Sequence, residues 1–565
     1  MHAIHLRPAS MPRRLVLARA SRVGLCVGAL ALLPALGLAA DPPIKLNAPL
    51  TEGGDVSFPI ISPDGRTVLY AADQDIDGRT ELFSVPIGGG STPIKLNPPV
   101  GGSGVFSVIT RITADSAAAV FRANGNLFSV PVGGGPPVRL NRPLPAGGIV
   151  FSFQLSPDGS TVVYNADQDT DNVREMYSVP VAGGSVTRLN APMTPGGNSV
   201  GSGRISPDGS TVIYRADQDT HDVFELFSVP IGGGSVTKLN PPLPSDADVG
   251  DENFEFSPDG STVVFAVTEG TLGRRALYSV PAQGGPATRL TPPLVDGGRI
   301  NFLGFERYRM ISPDGSRVVY TADQDTNDEV ELYSVPIEGG TVTRLNPPLL
   351  PGQIVDSLYE ISADGSTVVY QTFSESEPNE LFSVPTVGGP VTRLNAPLPS
   401  TDEVLSFQLS HDGSLVVYTT FPRGAIAPRP SKASASPQGD SSPPNGLFSA
   451  PIDGGPVQTL ATGFAEGSGL SDFSISPDNQ WVLYTADQDT PGTLELYRIP
   501  LLGGSAEKLN APVVSGGNIF SFEIAPDSNT VVYRGDQDTD DVIEIFSVTN
   551  VGAWQPGQIF ENGFE

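Results

Sequence analysis

One short turn recurs along this chain and dictates most of what it can become. Pro-Asp-Gly and its variants place an aspartate at Asp64, Asp158, Asp208, Asp259, Asp314, Asp364, Asp412, Asp478 and Asp527, with a degenerate copy at Asp115. The intervals run from 43 to 55 residues, with one of 66. Inside a repeat the spacing is tighter. Nine residues beyond Asp64, Asp158, Asp208, Asp314, Asp478 and Asp527 stand Asp73, Asp167, Asp217, Asp323, Asp487 and Asp536. Eight further on stand Glu81, Glu175, Glu225, Glu331, Glu495 and Glu544. Such units stack on their neighbours to build a continuous core.

Each repeat reads as four short strands. In the third, residues 151–156 alternate in character and stop at Pro157-Asp158-Gly159, and 161–164 are β-branched and aromatic. A polar loop, 167–172, leads to a third strand at 175–180. Gly183-Gly184 then turns the chain into a fourth at 186–189, closed by Asn190-Ala191-Pro192. Glycine permits positive φ in such turns and proline ends pairing, so these boundaries predict antiparallel hairpins. The expected fold class is all-β, a propeller of ten four-stranded blades. Residues 43–50 match a fourth strand, whereas the chain ends after a third strand at 544–548. The N-terminal strand is therefore expected to complete the last blade and close one ring, removing two sheet edges. Two smaller propellers are the alternative, although no linker separates the repeats. Residues 422–445, rich in Pro, Ser and Ala, fall inside the eighth repeat and predict a disordered loop rather than a domain boundary.

The runs Ile61-Ser62-Pro63-Asp64-Gly65 and Phe256-Ser257-Pro258-Asp259-Gly260, each followed by a Val-rich strand, resemble the Pro-Asp repeats of TolB-type propellers. The resemblance extends over nearly all of residues 41–555 and implies the fold. It implies no single function, because this repeat serves periplasmic binding proteins and peptidase domains alike.

The first 40 residues predict an export signal. Arg13, Arg14, Arg19 and Arg22 precede an apolar run from 23 to 38, and Ala39-Ala40 precede Asp41 as a cleavage point. A single membrane anchor is the alternative, in a run interrupted by Gly24, Gly28, Pro34 and Gly37. Cleavage would remove Cys26, the only cysteine, so no disulfide is expected. It would also leave 28 basic against 62 acidic residues, a net charge of −34. That field repels nucleic acid and anionic lipid and favours cations or basic partners. The expected location is the periplasm or the cell exterior, with no membrane insertion after cleavage. The expected partner is a protein or small ligand of the cell envelope. Residues 556–565 belong to no repeat and predict a tail.

Two sets of residues are candidate sites. The loops Asp73-Gln74-Asp75-Ile76-Asp77, Asp167–Asp171 (with Asp169) and Asp536–Asp540 (with Asp538) carry acids at alternate positions. Alternating acids can converge on Ca²⁺; equally, aspartates serve turns with no metal. No cofactor is required by either reading, and Ca²⁺ would be structural. The second set stands four residues before seven of the ten turn aspartates, Ile60, Met310 and Ser474 holding that place before the other three. It comprises Arg111, Gln154, Arg204, Glu255, Glu360, Gln408 and Glu523, polar and varied where the neighbouring position is uniformly apolar. If the first strand lines a central channel, this ring faces the axis, either contacting a ligand or solvating the channel. Catalysis finds less support. His221 and His411 are the only histidines after residue 40, and they stand in unrelated positions. The expectation is a binding or interaction module, with a carbohydrate- or peptide-active enzyme using channel carboxylates as the alternative.

Overall fold

The computed structural model describes residues 40–97, 110–197, 199–243, 247–269, 274–301, 310–399, 401–422, 446–462, 464 and 469–551. All but the last residue of the expected export signal, the low-complexity stretch from 423 to 445 and the tail lie outside them.

Ten four-stranded antiparallel sheets follow one another. Blades 1 to 9 span residues 56–95, 110–139, 150–188, 200–238, 248–289, 300–344, 353–393, 402–462 and 470–508. Blade 10 combines 519–549 with Ile44–Lys45. In blade 3 the strands are Val150–Leu155, Thr161–Ala166, Glu175–Pro180 and Thr187–Arg188, close to the boundaries read from turn residues.

The Pro-Asp-Gly turn holds itself together. In blade 3 the Ser156 hydroxyl donates to Asp158 Oδ1 at 2.5 Å, and the same oxygen accepts the Ser160 amide at 3.0 Å. The Thr161 amide returns to Ser156 Oγ at 2.9 Å. Gly159 sits at φ +71°, in the left-handed region glycine favours. Three repeats put another residue there, Ser116, Asn479 and Ser528, at φ +58° to +60°. Each offers a side-chain acceptor to the preceding blade: Asp64 N to Ser116 Oγ at 3.0 Å, His411 N to Asn479 Oδ1 at 2.7 Å, and Asp478 N to Ser528 Oγ at 3.0 Å.

The serine hydroxyl, joined by the amide two residues on, holds the carboxyls of Asp158 and Asp208 below the usual aspartate range. A carboxylate with a depressed folded pKa stabilises the fold above its unfolded pKa, about 3.9, and ceases to as pH falls through the folded value. Melting temperature is therefore expected to be insensitive to these turns from pH 7 to about pH 5. It should decline below about pH 4, and Ser156→Ala, which brings the folded Asp158 pKa nearer its unfolded value, should melt lower at pH 7 but show a shallower decline in acid. An identical acid limb in that variant would contradict the assignment.

The core lies between blades rather than within them. Leu69, Leu82 and Leu96 of blade 1 pack on Ala119, Phe121 and Val130 of blade 2. Val264 and Leu277 of blade 5 pack on Ile311, Val318 and Tyr320 of blade 6. Val532 and Ile545 of blade 10 pack on Val68, Tyr70 and Val85 of blade 1. An apolar cluster of this kind fills every successive interface. The ring is thus single and closed, because two propellers would set blade 1 against an internal blade instead of blade 10. Inside each blade a ring of the second strand stacks on one of the third, from Tyr70–Phe83 at 5.3 Å to Phe121–Phe128 at 5.8 Å.

The N-terminal strand closes the circle in register. Ile44 faces Ser547 and Lys45 faces Phe546, and Leu46 N donates to Ile545 O at 2.9 Å. Asn47 then extends the two-residue strand by accepting the Ile545 amide at 3.0 Å. The same substitution of side chain for ladder occurs where Asn97 accepts Leu82 N and Asn190 accepts Met176 N, at 2.8 and 2.9 Å. Among the described residues, no helix is long and apolar enough to cross a membrane.

Candidate functional site

First strands of adjacent blades approach one another, as where Gln154 Nε2 donates to Gly203 O at 2.7 Å. The fourth strands lie at the opposite edge of each sheet and are largely exposed. The first strands therefore line the axis, as the placement of the polar ring requires. These strands are bulged. Blade 5 uses five steps from Val249 to Phe254 where its partner uses two, from Val267 to Phe265. Blade 7 uses four, from Val355 to Tyr359, against two.

The ring residues divide by what they bond. Glu360 Oε2 accepts the Leu409 amide of the next blade at 2.8 Å. Glu255 Oε2 does the same for Met310 N at 3.2 Å, and Glu523 Oε2 for Ile61 N at 3.3 Å, across the closing interface. With Gln154, these four are struts between inner strands: the three glutamates give edge amides an acceptor and Gln154 gives an edge carbonyl a donor, partners that no fifth strand supplies. The other three are placed differently. Gln408 Oε1 is buried and has no hydrogen-bond partner among the described residues. Arg111 is exposed and donates to its neighbour's carbonyl, Thr110 O, at 3.2 Å. Arg204 is half-buried.

The acidic loops separate the three acids of each set. The first is a staple. Asp167, 3 % exposed, accepts Ile149 N at 2.6 Å through one oxygen and Asn172 N at 3.4 Å through the other. Asp73 repeats this with Asp55 N at 2.5 Å and Gly78 N at 3.1 Å, and Asp536 with Asn518 N and Asp541 N. The adjoining glutamine ties in the connection from the preceding blade: Gln168 Oε1 accepts Tyr164 OH at 3.0 Å and the amide of Arg142, just beyond blade 2, at 3.1 Å.

The second acid pairs with a cation. Lys95 meets Asp75 and Glu81 at 2.8 and 2.5 Å, Lys45 meets Asp538 and Glu544 at 2.7 Å each, and Arg142 meets Asp169 at 3.2 Å. Partial burial works against the Lys45 charge, yet hydrogen bonds to its two carboxylates leave its pKa above the ordinary lysine value.

The third acid, Asp77, Asp171 or Asp540, is exposed. Among the described residues, two groups bring three ligand atoms within 4.8 Å of one another: Asp217, His221 and Asp222, and Asp536, Asp540 and Asp541. Asp73, Asp75 and Asp77 do not gather in this way, nor do Asp167, Asp169 and Asp171. A hard cation fits the blade 10 loop best in donor type, although both Asp536 oxygens already accept amides.

A concavity of about 450 Å³ opens beside Lys45, Leu50, Glu52 and Val542, away from the axis. His411 approaches Ile475 O at 3.3 Å through Nε2, and His221 lies 3.4 Å from Asp222.

No family model and no curated protein matches the chain. Among solved structures it is similar to one described as a putative TolB from Agrobacterium tumefaciens, at 20% identity over 49% of this chain and 86% of that one, with a TM-score of 0.27. It is also similar to prolyl oligopeptidase B from Galerina marginata, at 10% identity over 78% and 56%, TM-score 0.38. An oligogalacturonate lyase in complex with manganese matches at 13% identity over 78% and 96%, TM-score 0.33. At such TM-scores these likenesses carry no activity across, and the fold class rests on the strand pairing itself. The chain is an all-β, ten-bladed propeller closed by its N-terminal strand.

Proposed function

We propose that this chain is an exported, non-catalytic interaction module of the periplasm or cell exterior, whose face bearing the second-to-third-strand loops takes a cationic partner. One observation carries the reading. Asp77, Asp171, Asp222, Asp328 and Asp540 are exposed at the same loop of blades 1, 3, 4, 6 and 10, whereas the acids preceding them are tied to backbone amides, to lysine or arginine, or, for Asp325, to the Tyr333 hydroxyl. Acids repeated around one end of a ring add their fields there, favouring encounter with positive charge and repelling nucleic acid. The channel carboxylates Glu255, Glu360 and Glu523 support binding rather than hydrolysis, since each gives an oxygen to a backbone amide. Arg111, Arg204 and Gln408 remain the channel positions for a small ligand. Structural Ca²⁺ belongs at Asp536, Asp540 and Asp541 if anywhere, and the fold does not depend on it.

Poly-L-lysine is the test probe. Asp171→Asn with Asp328→Asn should weaken its binding by about fivefold at low salt and flatten the salt dependence. A control pair on turns at the other end of the blades, Glu338→Gln with Asp453→Asn, removes the same charge and should change affinity by less than about twofold. Equal losses in both pairs would reduce the effect to net charge and refute a dedicated face.

A further inference from the structure

The ninth blade departs from the repeat at two facing positions. In the third strand, nine blades carry serine at one site, and Ser84, Ser129, Ser334, Ser383 and Ser449 each donate to a carbonyl of the next blade, at 2.5 to 2.9 Å. Blade 9 carries Arg498 there. The residue paired with it on the fourth strand is Ile94, Val138, Thr187, Thr237, Thr288, Thr343, Thr392 or Gln458 in blades 1 to 8, and Ile44 in blade 10. In blade 9 it is an acid, Glu507.

The two deviations form one unit. Arg498, 2 % exposed, lies 4.3 Å from the Trp481 ring and donates to Asn550 O at 3.2 Å and to Val551 O. Its Nε and Nη2 hold Glu507 Oε2 at 2.9 and 2.6 Å. The other oxygen, Glu507 Oε1, accepts the backbone nitrogen of Ala40 at 3.0 Å. Ala40 packs on the apolar cluster between blades 9 and 10. Asp41 continues the seat: its amide donates to Thr549 O at 3.0 Å, and its carboxylate accepts Thr549 Oγ1 and Asn550 Nδ2 at 2.7 and 2.6 Å. A carboxylate already neutralised by arginine gains little from an ordinary amide. An α-ammonium at the same atom would make a charge-assisted bond in a half-buried site.

We propose that processing locks the ring: hydrolysis of the Ala39–Ala40 bond frees the α-ammonium of Ala40, which docks on Glu507 beside Arg498. Water adds across the C–N bond, leaving a carboxylate on Ala39 and an amine on Ala40 that takes up a proton at neutral pH. Water is the co-reactant, and the catalyst is a membrane-bound signal-processing peptidase. Gly37 and Ala39 are the small residues such an enzyme reads three and one positions before the cut, whereas a cut after Ala40 would put Leu38 in the first of those places. The mature chain then begins at Ala40, one residue earlier than the Ala-Ala pair alone suggested. This rests on the export reading for where the cut occurs, but not for what the ammonium does.

Two measurements keep these apart. Protein recovered from the periplasm of a Gram-negative host should begin at Ala40 by N-terminal sequencing. A start at Asp41 overturns the proposed cut, and a chain retaining residues 1–39 overturns export as well. Separately, purified chains starting at Ala40, with the amino group free or acetylated, are compared by hydrogen exchange over 41–47 and 544–549. The free amine should slow exchange about fivefold at pH 6.5, and the advantage should fade as pH rises past about 8, where the amine loses its proton. Glu507→Gln should abolish the difference. Equal exchange in the free and acetylated forms of the unsubstituted chain overturns the lock, whatever Glu507→Gln does to folding.

Discussion

Deleting residues 40–47 should speed hydrogen exchange across blade 10 by about three orders of magnitude, corresponding to a loss of roughly 4 kcal/mol in the free energy of opening it. The segment supplies Leu46, 2 % exposed in the cluster between blades 10 and 1, and burying a leucine contributes roughly 2–3 kcal/mol. It also supplies acceptors and donors for the third strand of blade 10, through Leu46 N to Ile545 O and Ile545 N to Asn47 Oδ1. Leaving a buried donor unmade costs about 1–3 kcal/mol. Lys45 goes too, stranding Glu544, 6 % exposed, near Asp538 with no counter-charge. The exposed edge should also pair between molecules, so the truncated protein is expected to self-associate. A synthetic peptide of residues 40–50 added in trans should restore slow exchange. Unchanged exchange in the truncated chain would mean that blade 10 closes without this strand.

Asp167→Ala should destabilise the protein by about 3 kcal/mol, whereas Asp171→Ala should stay within about 0.5 kcal/mol. The asymmetry follows from what each carboxylate holds. Asp167 is buried and takes the amides of Ile149 and Asn172, so its removal orphans donors on both sides of a loop. Asp171 is exposed and accepts the side chain of its neighbour, Asn172 Nδ2, at 2.8 Å. A calcium loop built on alternate acids would behave otherwise, with Asp169 and Asp171 as costly as Asp167 and all three losses reproduced by a chelator. Urea unfolding of the two variants, with and without chelator, separates these outcomes. The expected result is a shifted midpoint for Asp167→Ala alone and no effect of chelation on the unsubstituted protein.

The strands, their order and the closing segment were legible because they are set by local chemistry. Pro-Asp-Gly, Gly-Gly and Asn-x-Pro each fix a turn or end a strand through contacts within a few residues, and a fourth strand out of phase at 43–50 has one place to go. The site was less legible. Nothing near Glu360 announces that its oxygen will hold the amide of Leu409, 49 residues on. That bond exists because ring geometry brings two inner edges together. The same holds for Asp167, whose donor Ile149 lies 18 residues upstream. Alternating acids looked alike in sequence, but the loop ties the first to backbone amides, pairs the second with a cation and leaves the third in water. The Arg498 and Glu507 exchange did carry a signal, a break in a column of serines and an acid in a facing column that otherwise holds none. Its meaning required seeing that the two columns face each other and that Ala40 arrives between blades 9 and 10.

Electron microscopy of the chain from residue 40 onward tests the architecture most directly. End-on class averages should show ten radial lobes around one axis, with the lobe formed by residues 519–549 and 44–45 as complete as the others. Two smaller rings, or one ring of fewer lobes, would contradict a single propeller closed by its own N-terminal strand.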